Sequence, residues 1–269
     1  MEGNLVITDY RTILVEETGP VAWLTLNRPK SLNTMNDAMI TEIGEALDRF
    51  ETGGTVRIVA LTGSGRAFCA GADLAPPEGA DVDPGALLPF IERAQDLLIR
   101  LRNSPLIMIA AINGVTMGGG LELALAADIV VAAAGARIGD GHANVGVIPG
   151  AGGATVLPRR ISPALAKYLL FTGDTVSAEE LQAAGLVARV FPAEELRAET
   201  QRIADRVAAK SPLASSIVKR LVDEGIAAPD EAVAIRAELR EMRTYAHSHD
   251  MAEGIRAFFA HRPPVYLGR

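Results

Sequence analysis

The sequence has a single cysteine, Cys69, so no disulfide can form within the chain. A fold that cannot depend on oxidation suits a reducing, cytoplasmic setting. Aromatic residues make up only 4% of the 269 positions, although hydrophobic residues together make up 49%. Ala, Val, Leu and Ile must then fill the core, as in close-packed helices and strands buried on both faces. Positive charge is not in excess either. The net charge is -7, so nothing at this level favours nucleic acid or an anionic membrane, and an anionic ligand must find local cations. Apolar runs of membrane-spanning length are missing. The most apolar stretch, Leu106 to Ala134, is interrupted by Asn113, Gly118 to Gly120, Glu122 and Asp128, and reads as strand, loop, helix and strand. Met1 to Tyr10 carries two acids, no basic residue and no apolar core of a secretory signal.

What is present is an α/β pattern. Ile13 to Val15, a Thr18-Gly19-Pro20 turn and Val21 to Leu26 predict a β-hairpin. Asn36 or Asp37 can cap a helix whose apolar positions are Ile40, Ile43, Leu47 and Phe50. Val56 to Leu61, Leu106 to Ile112 and Ile129 to Ala133 predict buried strands. Gly63 to Gly71 predicts a loop, and Leu74 to Pro89, rich in Pro, Gly and Asp, a mobile surface segment. Beyond Pro163 the chain reads as helix, with one short strand near Val187 to Val190. No linker separates independent domains; the expected division is a layered core over 1–195 and a helical region over 196–269.

Two Gly-containing loops each follow a predicted strand. The first is Ala67-Phe68-Cys69-Ala70-Gly71-Ala72-Asp73-Leu74, and the second is Asn113-Gly114-Val115-Thr116-Met117-Gly118-Gly119-Gly120-Leu121-Glu122. A Gly-rich strand-to-helix turn can present backbone N–H groups to an oxygen that gains negative charge. Glu122 then falls in the first helical turn, where a carboxylate could move a proton beside an activated carbonyl. Each loop alone is a weak signal, and a lone Gly triplet is more often a turn. A phosphate loop is excluded because no Gly-Lys-Ser/Thr follows, and the dinucleotide fingerprint lacks its Gly spacing and its later acid.

Together the motifs are specific. They resemble, in order, those of the enoyl-CoA hydratase/isomerase (crotonase) superfamily: Leu26-Asn27-Arg28-Pro29-Lys30-Ser31-Leu32-Asn33, the two loops above, Ile148-Pro149-Gly150-Ala151-Gly152-Gly153, Leu170-Phe171-Thr172-Gly173-Asp174 and Ala183-Ala184-Gly185-Leu186-Val187. The resemblance runs from about Val21 to the C-terminus. It implies a spiral of ββα units with a C-terminal helical region used in trimers, often paired as hexamers. It also implies a thioester oxygen held by the N–H groups of Ala72 and Gly119. Lys30, Ser31, Leu32, Ala70, Asp73 and Leu74 match positions along the coenzyme A path, with Ser31 in place of the more usual Ala. No cofactor is implied beyond coenzyme A as the substrate's carrier.

One departure matters. Hydratases of this superfamily use two glutamates. Glu122 matches the first, but the loop Gly139-Asp140-Gly141-His142-Ala143-Asn144 puts His142 in the place of the second. Histidine exchanges protons near neutral pH, so His142 can replace the missing acid, with Asp140 as a candidate orienting group. It can equally serve a double-bond isomerase or, as in the superfamily's β-diketone hydrolases, cleavage of a carbon–carbon bond. A non-catalytic acyl-CoA-binding protein is the reading from a different class. Cys69 reads as a small buried hydrophobe rather than a nucleophile, and Trp23 as core. His247 and His249, one residue apart on an expected helix, point away from each other and do not suggest a metal site. Arg262 is either solvated or a contact for a coenzyme A phosphate.

Overall fold

The computed structural model describes residues 6–73 and 83–269. Among the described residues eleven strands run in chain order as β1 (Val6–Asp9), β2 (Ile13–Thr18), β3 (Val21–Leu26), β4 (Ile58–Gly63), β5 (Ala67–Cys69), β6 (Ile107–Ile112), β7 (Val115–Met117), β8 (Ile129–Ala133), β9 (Arg137–Gly139), β10 (Thr175–Ser177) and β11 (Arg189–Phe191). The helices are α1 (Asp37–Gly53), α2 (Leu88–Asn103), α3 (Gly119–Leu125), α4 (Gly153–Arg160), α5 (Pro163–Thr172), α6 (Ala178–Ala183), α7 (Leu196–Ala208), α8 (Pro212–Ala227), α9 (Glu231–Tyr245) and α10 (His249–Phe259). A seven-stranded sheet has the order β1-β2-β3-β4-β6-β8-β11, and a four-stranded sheet the order β10-β9-β7-β5. Strands β4, β6 and β8 lie parallel in the large sheet, while β5, β7 and β9 lie parallel in the small one. Each pair is followed by a helix, α2, α3 or α4. These are the ββα turns of the expected spiral.

The large sheet separates two apolar layers, and its residues are sorted by the two-residue period of a strand. Val59 and Leu61 of β4, with Met108, Ala110 and Ile112 of β6, join the layer that holds α1, α2 and α3. Ile58, Ala60, Ile109 and Ala111 face the opposite layer, which Leu196 and Ala204 of α7 close. Trp23 is in that layer. Its Nε1–H donates to Gln201 Oε1 at 2.6 Å, and the Arg197 guanidinium lies 4.4 Å from the ring centre. Helix α7 is therefore part of the core's packing, and the helices that project from it begin with α8. Lys219 of α8 anchors them by pairing with Asp128 Oδ2 at 3.0 Å. Val218, Val222 and Ile226 of α8, and Ile235, Leu239 and Met242 of α9, remain exposed.

The hairpin, the buried strands and the Asn36-capped α1 match the sequence reading. Asn36 Oδ1 accepts from Met39 N–H at 3.0 Å. Three expectations are corrected. The predicted loop Gly63 to Gly71 contains β5. The chain after Pro163 holds two strands rather than one, β10 and β11. Pro84–Leu87 is a 3-10 turn that runs into α2 at Leu88, so the last two residues of the expected surface segment are already helical. Leu74, and that segment as far as Val82, lie outside the described residues.

Candidate active site

The first loop is fixed from below by Asn33, which is fully buried. Its Nδ2–H donates to Ser64 O at 2.9 Å and to Ala67 O at 2.8 Å, and its Oδ1 accepts from Arg28 N–H at 2.9 Å. Just before α1, Met35 forms an isolated parallel bridge with Ala72. Met35 N–H donates to Gly71 O, and Asp73 N–H donates to Met35 O, each at 2.8 Å. In a parallel bridge the flanking peptides make those bonds, so the N–H of Ala72 itself turns the other way. Helix α3 begins on that side: a Cβ built on Gly119 would lie 3.6 Å from Ala72 N. Among the described residues, neither Ala72 N–H nor Gly119 N–H donates to a protein acceptor. Two neighbouring backbone donors without partners form a ready receptor for an oxyanion.

The close approach of α3 to β5 requires glycine. A Cβ at Gly120 would overlap the Cys69 carbonyl oxygen, and one at Gly119 would come within 2.7 Å of Met35 Cε. Cys69 is fully buried, and burial pushes its thiol up to about 11, so it is an inert packing residue as read from the sequence.

Glu122 is only 5% exposed, in the first turn of α3. Ala151 N–H and Gly153 N–H both donate to its Oε1, at 2.8 and 2.9 Å. Oε2 makes no hydrogen bond with the described residues, which leaves it available to the cavity. Burial raises the carboxyl above its ordinary range, although the two N–H groups and His142 pull in the opposite direction. His142 opens a 3-10 turn, His142–Val145, that follows β9. Its Nδ1 lies 2.8 Å from Oδ1 of the buried Asp140. Burial lowers the imidazole's affinity for a proton, but the bond and charge of Asp140, with the charge of Glu122, outweigh it and raise the pKa above the ordinary value.

Ala70, Ala72, Gly119, Glu122, Asp140 and His142 line one cavity of about 270 Å³. Its remaining wall is largely apolar, with Phe90 and Ile91 from α2 and Val147 and Ile148 from the loop before α4. The other candidate residues lie apart. Lys30 and Ser31 are exposed on the 3-10 turn Pro29–Ser31. Leu32 is tied to the cavity's edge, its carbonyl accepting from Ala70 N–H at 3.0 Å. Asp73 pairs with Arg28 at 2.7 Å, while Arg28 also donates to Thr34 O. Arg262 is engaged by Glu253 through both carboxylate oxygens. His247 precedes α10 and His249 opens it, so they do not share a helix as expected. Among the described residues, no group of three or more His, Cys, Asp or Glu could hold a metal ion, and no helix is long and apolar enough to cross a membrane.

The sequence named both catalytic candidates but could not show what holds Glu122. Its two donors lie 29 and 31 residues downstream, and backbone donors leave no residue-type signal.

Comparison with known proteins gives the same picture. The enoyl-CoA hydratase/isomerase family model matches residues 16–269. A probable mitochondrial enoyl-CoA hydratase of Dictyostelium discoideum is 36% identical over 257 residues, covering 96% of this chain and 91% of the relative. The 1,2-epoxyphenylacetyl-CoA isomerase of Escherichia coli strain K12 is 35% identical over 258 residues, covering 93% and 95%. The crystal structure of enoyl-CoA hydratase from Bacillus anthracis superposes with a TM-score of 0.89 at 34% identity, covering 99% of this chain and all of that one. Fold, loops and nearly full-length similarity agree: the chain belongs to the enoyl-CoA hydratase/isomerase family, the crotonase superfamily.

Proposed function

We propose that this enzyme adds water across the 2,3-double bond of an enoyl-CoA thioester. The observation that carries the reading is a single cavity lined by two unpartnered N–H groups, a carboxylate and an imidazole. The thioester oxygen sits between Ala72 N–H and Gly119 N–H. Glu122 Oε2 takes a proton from water as the water oxygen attacks C3. The π electrons move through C2 to the thioester oxygen, and the resulting enolate is held by the two donors. The protonated His142 gives its Nε2 proton to C2. Each oxyanion donor is worth roughly 3–4 kcal/mol of barrier, and each positioned proton-transfer group about 10²–10⁴ in rate. The burial that raises Glu122 makes it a stronger base, and the Asp140 contact makes the His142 ring hold its proton more tightly.

In this reading coenzyme A is the substrate's carrier and no metal or redox cofactor takes part. The coenzyme A moiety runs along Lys30, Ser31, Leu32, Ala70, Asp73 and Leu74. The protein acts in the cytoplasm as a trimer or a dimer of trimers, which the exposed apolar faces of α8 and α9 support. Isomerisation is the second reading, supported by the likeness to the E. coli isomerase.

Crotonyl-CoA is the test substrate. Hydration removes the conjugated enoyl absorbance, whereas isomerisation of a 3-enoyl thioester creates it. The wild type is expected to hydrate crotonyl-CoA, and Glu122→Gln and His142→Ala each to lose at least about a hundredfold in kcat. A folded wild type that binds coenzyme A but leaves crotonyl-CoA untouched rejects simple short-chain hydration.

A further inference from the structure

Asp140 has no substrate-facing task in the scheme above, yet its surroundings are built with care. Its side chain is fully buried and its sole ion pair among the described residues is with His142. Oδ1 accepts twice from that residue, from the Nδ1–H at 2.8 Å and from the backbone N–H at 3.2 Å. Oδ2 has no hydrogen-bond partner among the described residues. Only a glycine can pass beside it, because a Cβ at Gly153 would lie 2.7 Å from Oδ2. The imidazole is confined from its other side: a Cβ at Gly118 would lie 3.5 Å from Cε1 and 3.7 Å from Nε2. A buried carboxylate with an unpartnered oxygen is costly unless a charge opposes it. An imidazolium at His142 meets that requirement. An ionised carboxylate can only accept, so Nδ1 must carry a proton whichever state the ring is in.

We propose that Asp140 is a positioning residue whose charge holds the His142 ring, fixes a proton on Nδ1 and so leaves Nε2 as the one ring nitrogen able to exchange a proton with bound substrate. In the step proposed above, the Nε2–H bond breaks, its electron pair stays on Nε2, and the proton forms the new C2–H bond. The ring becomes neutral with Nδ1–H still donated to Asp140. The other carboxylate acting on the ring is Glu122, which pushes in the same direction. The destination of the proton rests on the hydration reading; the control of the ring by Asp140 does not.

Asp140→Asn separates charge from shape. Asparagine keeps an oxygen able to accept from His142 N–H, so a residue that merely shaped the turn would tolerate it. The chain has four histidines, and His142→Asn identifies the His142 signals in nitrogen-15 imidazole spectra. In the wild type the His142 ring should titrate above the ordinary imidazole value of 6.5. In Asp140→Asn its titration should fall by about one pH unit or more. The alkaline limb of kcat for crotonyl-CoA should fall with it, with KM nearly unchanged. A wild-type His142 that titrates at or below that ordinary value overturns the proposal, and this holds even if the variant does not fold. So does an Asp140→Asn ring that titrates as in the wild type. If the ring titration moves but the wild type has no hydratase activity, the role of Asp140 stands and the hydration reading fails.

Discussion

The two sides of the cavity are made of different materials. On one side the candidate groups are main-chain N–H donors, at Ala72 and Gly119, where glycines let two loops meet. On the other side they are side chains, Glu122, Asp140 and His142, each held by a specific bond. The first side can be spoiled by adding atoms, since a Cβ at Gly120 would overlap the Cys69 carbonyl. No side-chain deletion removes its donors. The second side can be altered by exchanging single functional groups while the backbone stays in place. In the proposed reaction the enolate would be stabilised by groups that belong to the fold, whereas its protons would be moved by replaceable residues.

Substitutions can sharpen that contrast. The largest effect on rate is expected from Glu122→Gln, with kcat down by about 10²–10⁴ and coenzyme A affinity retained, as steady-state kinetics and calorimetry would measure. An equal loss of binding would mean that Glu122 shapes the site rather than moves a proton. Gly120→Ala should instead act through stability, costing about 3 kcal/mol in urea unfolding because the obstacle is backbone. Gly119→Ala makes its one close approach to the flexible end of the Met35 side chain, at 2.7 Å, while the Ala72 and Gly71 backbone stays at an ordinary 3.6 Å. It should fold with a smaller loss and slow turnover by roughly a hundredfold through displacement of one donor.

A weaker effect should appear in the pH dependence of stability. The folded His142 holds its proton more tightly than the ordinary imidazole value of 6.5. Its contribution is therefore full below about that pH and is lost as the pH rises through the folded value. His142→Asn should remove this slope from urea midpoints measured above pH 6.5. The smallest effect is expected at the exposed Arg93–Asp37 pair, with side chains 50% and 63% accessible. There Arg93→Ala should change stability by no more than about 0.5 kcal/mol.

The sequence showed the parts whose pattern is local. The α1 cap, the apolar runs of the large-sheet strands and the Gly triplet leading to Glu122 are all read within a few neighbouring residues. The small sheet was hidden because β5, β7, β9 and β10 have three residues each, too few to show a period. Contacts across the chain were also hidden. Arg28 reaches Asp73 across 45 positions, and nothing in either residue names the other. Even the Asp140–His142 contact, two residues apart, needed the left-handed Gly141, φ 71°, that turns the chain between them.

The grip on Glu122 has a further use. The peptide N–H groups of Ala151 and Gly153 both end on Oε1, so their electronic surroundings change whenever that carboxyl gains or loses a proton. Their two amide resonances are native indicators wired to the group. Following them through a pH series would report the ionisation of Glu122 in the intact protein, with no label attached and no substrate turned over.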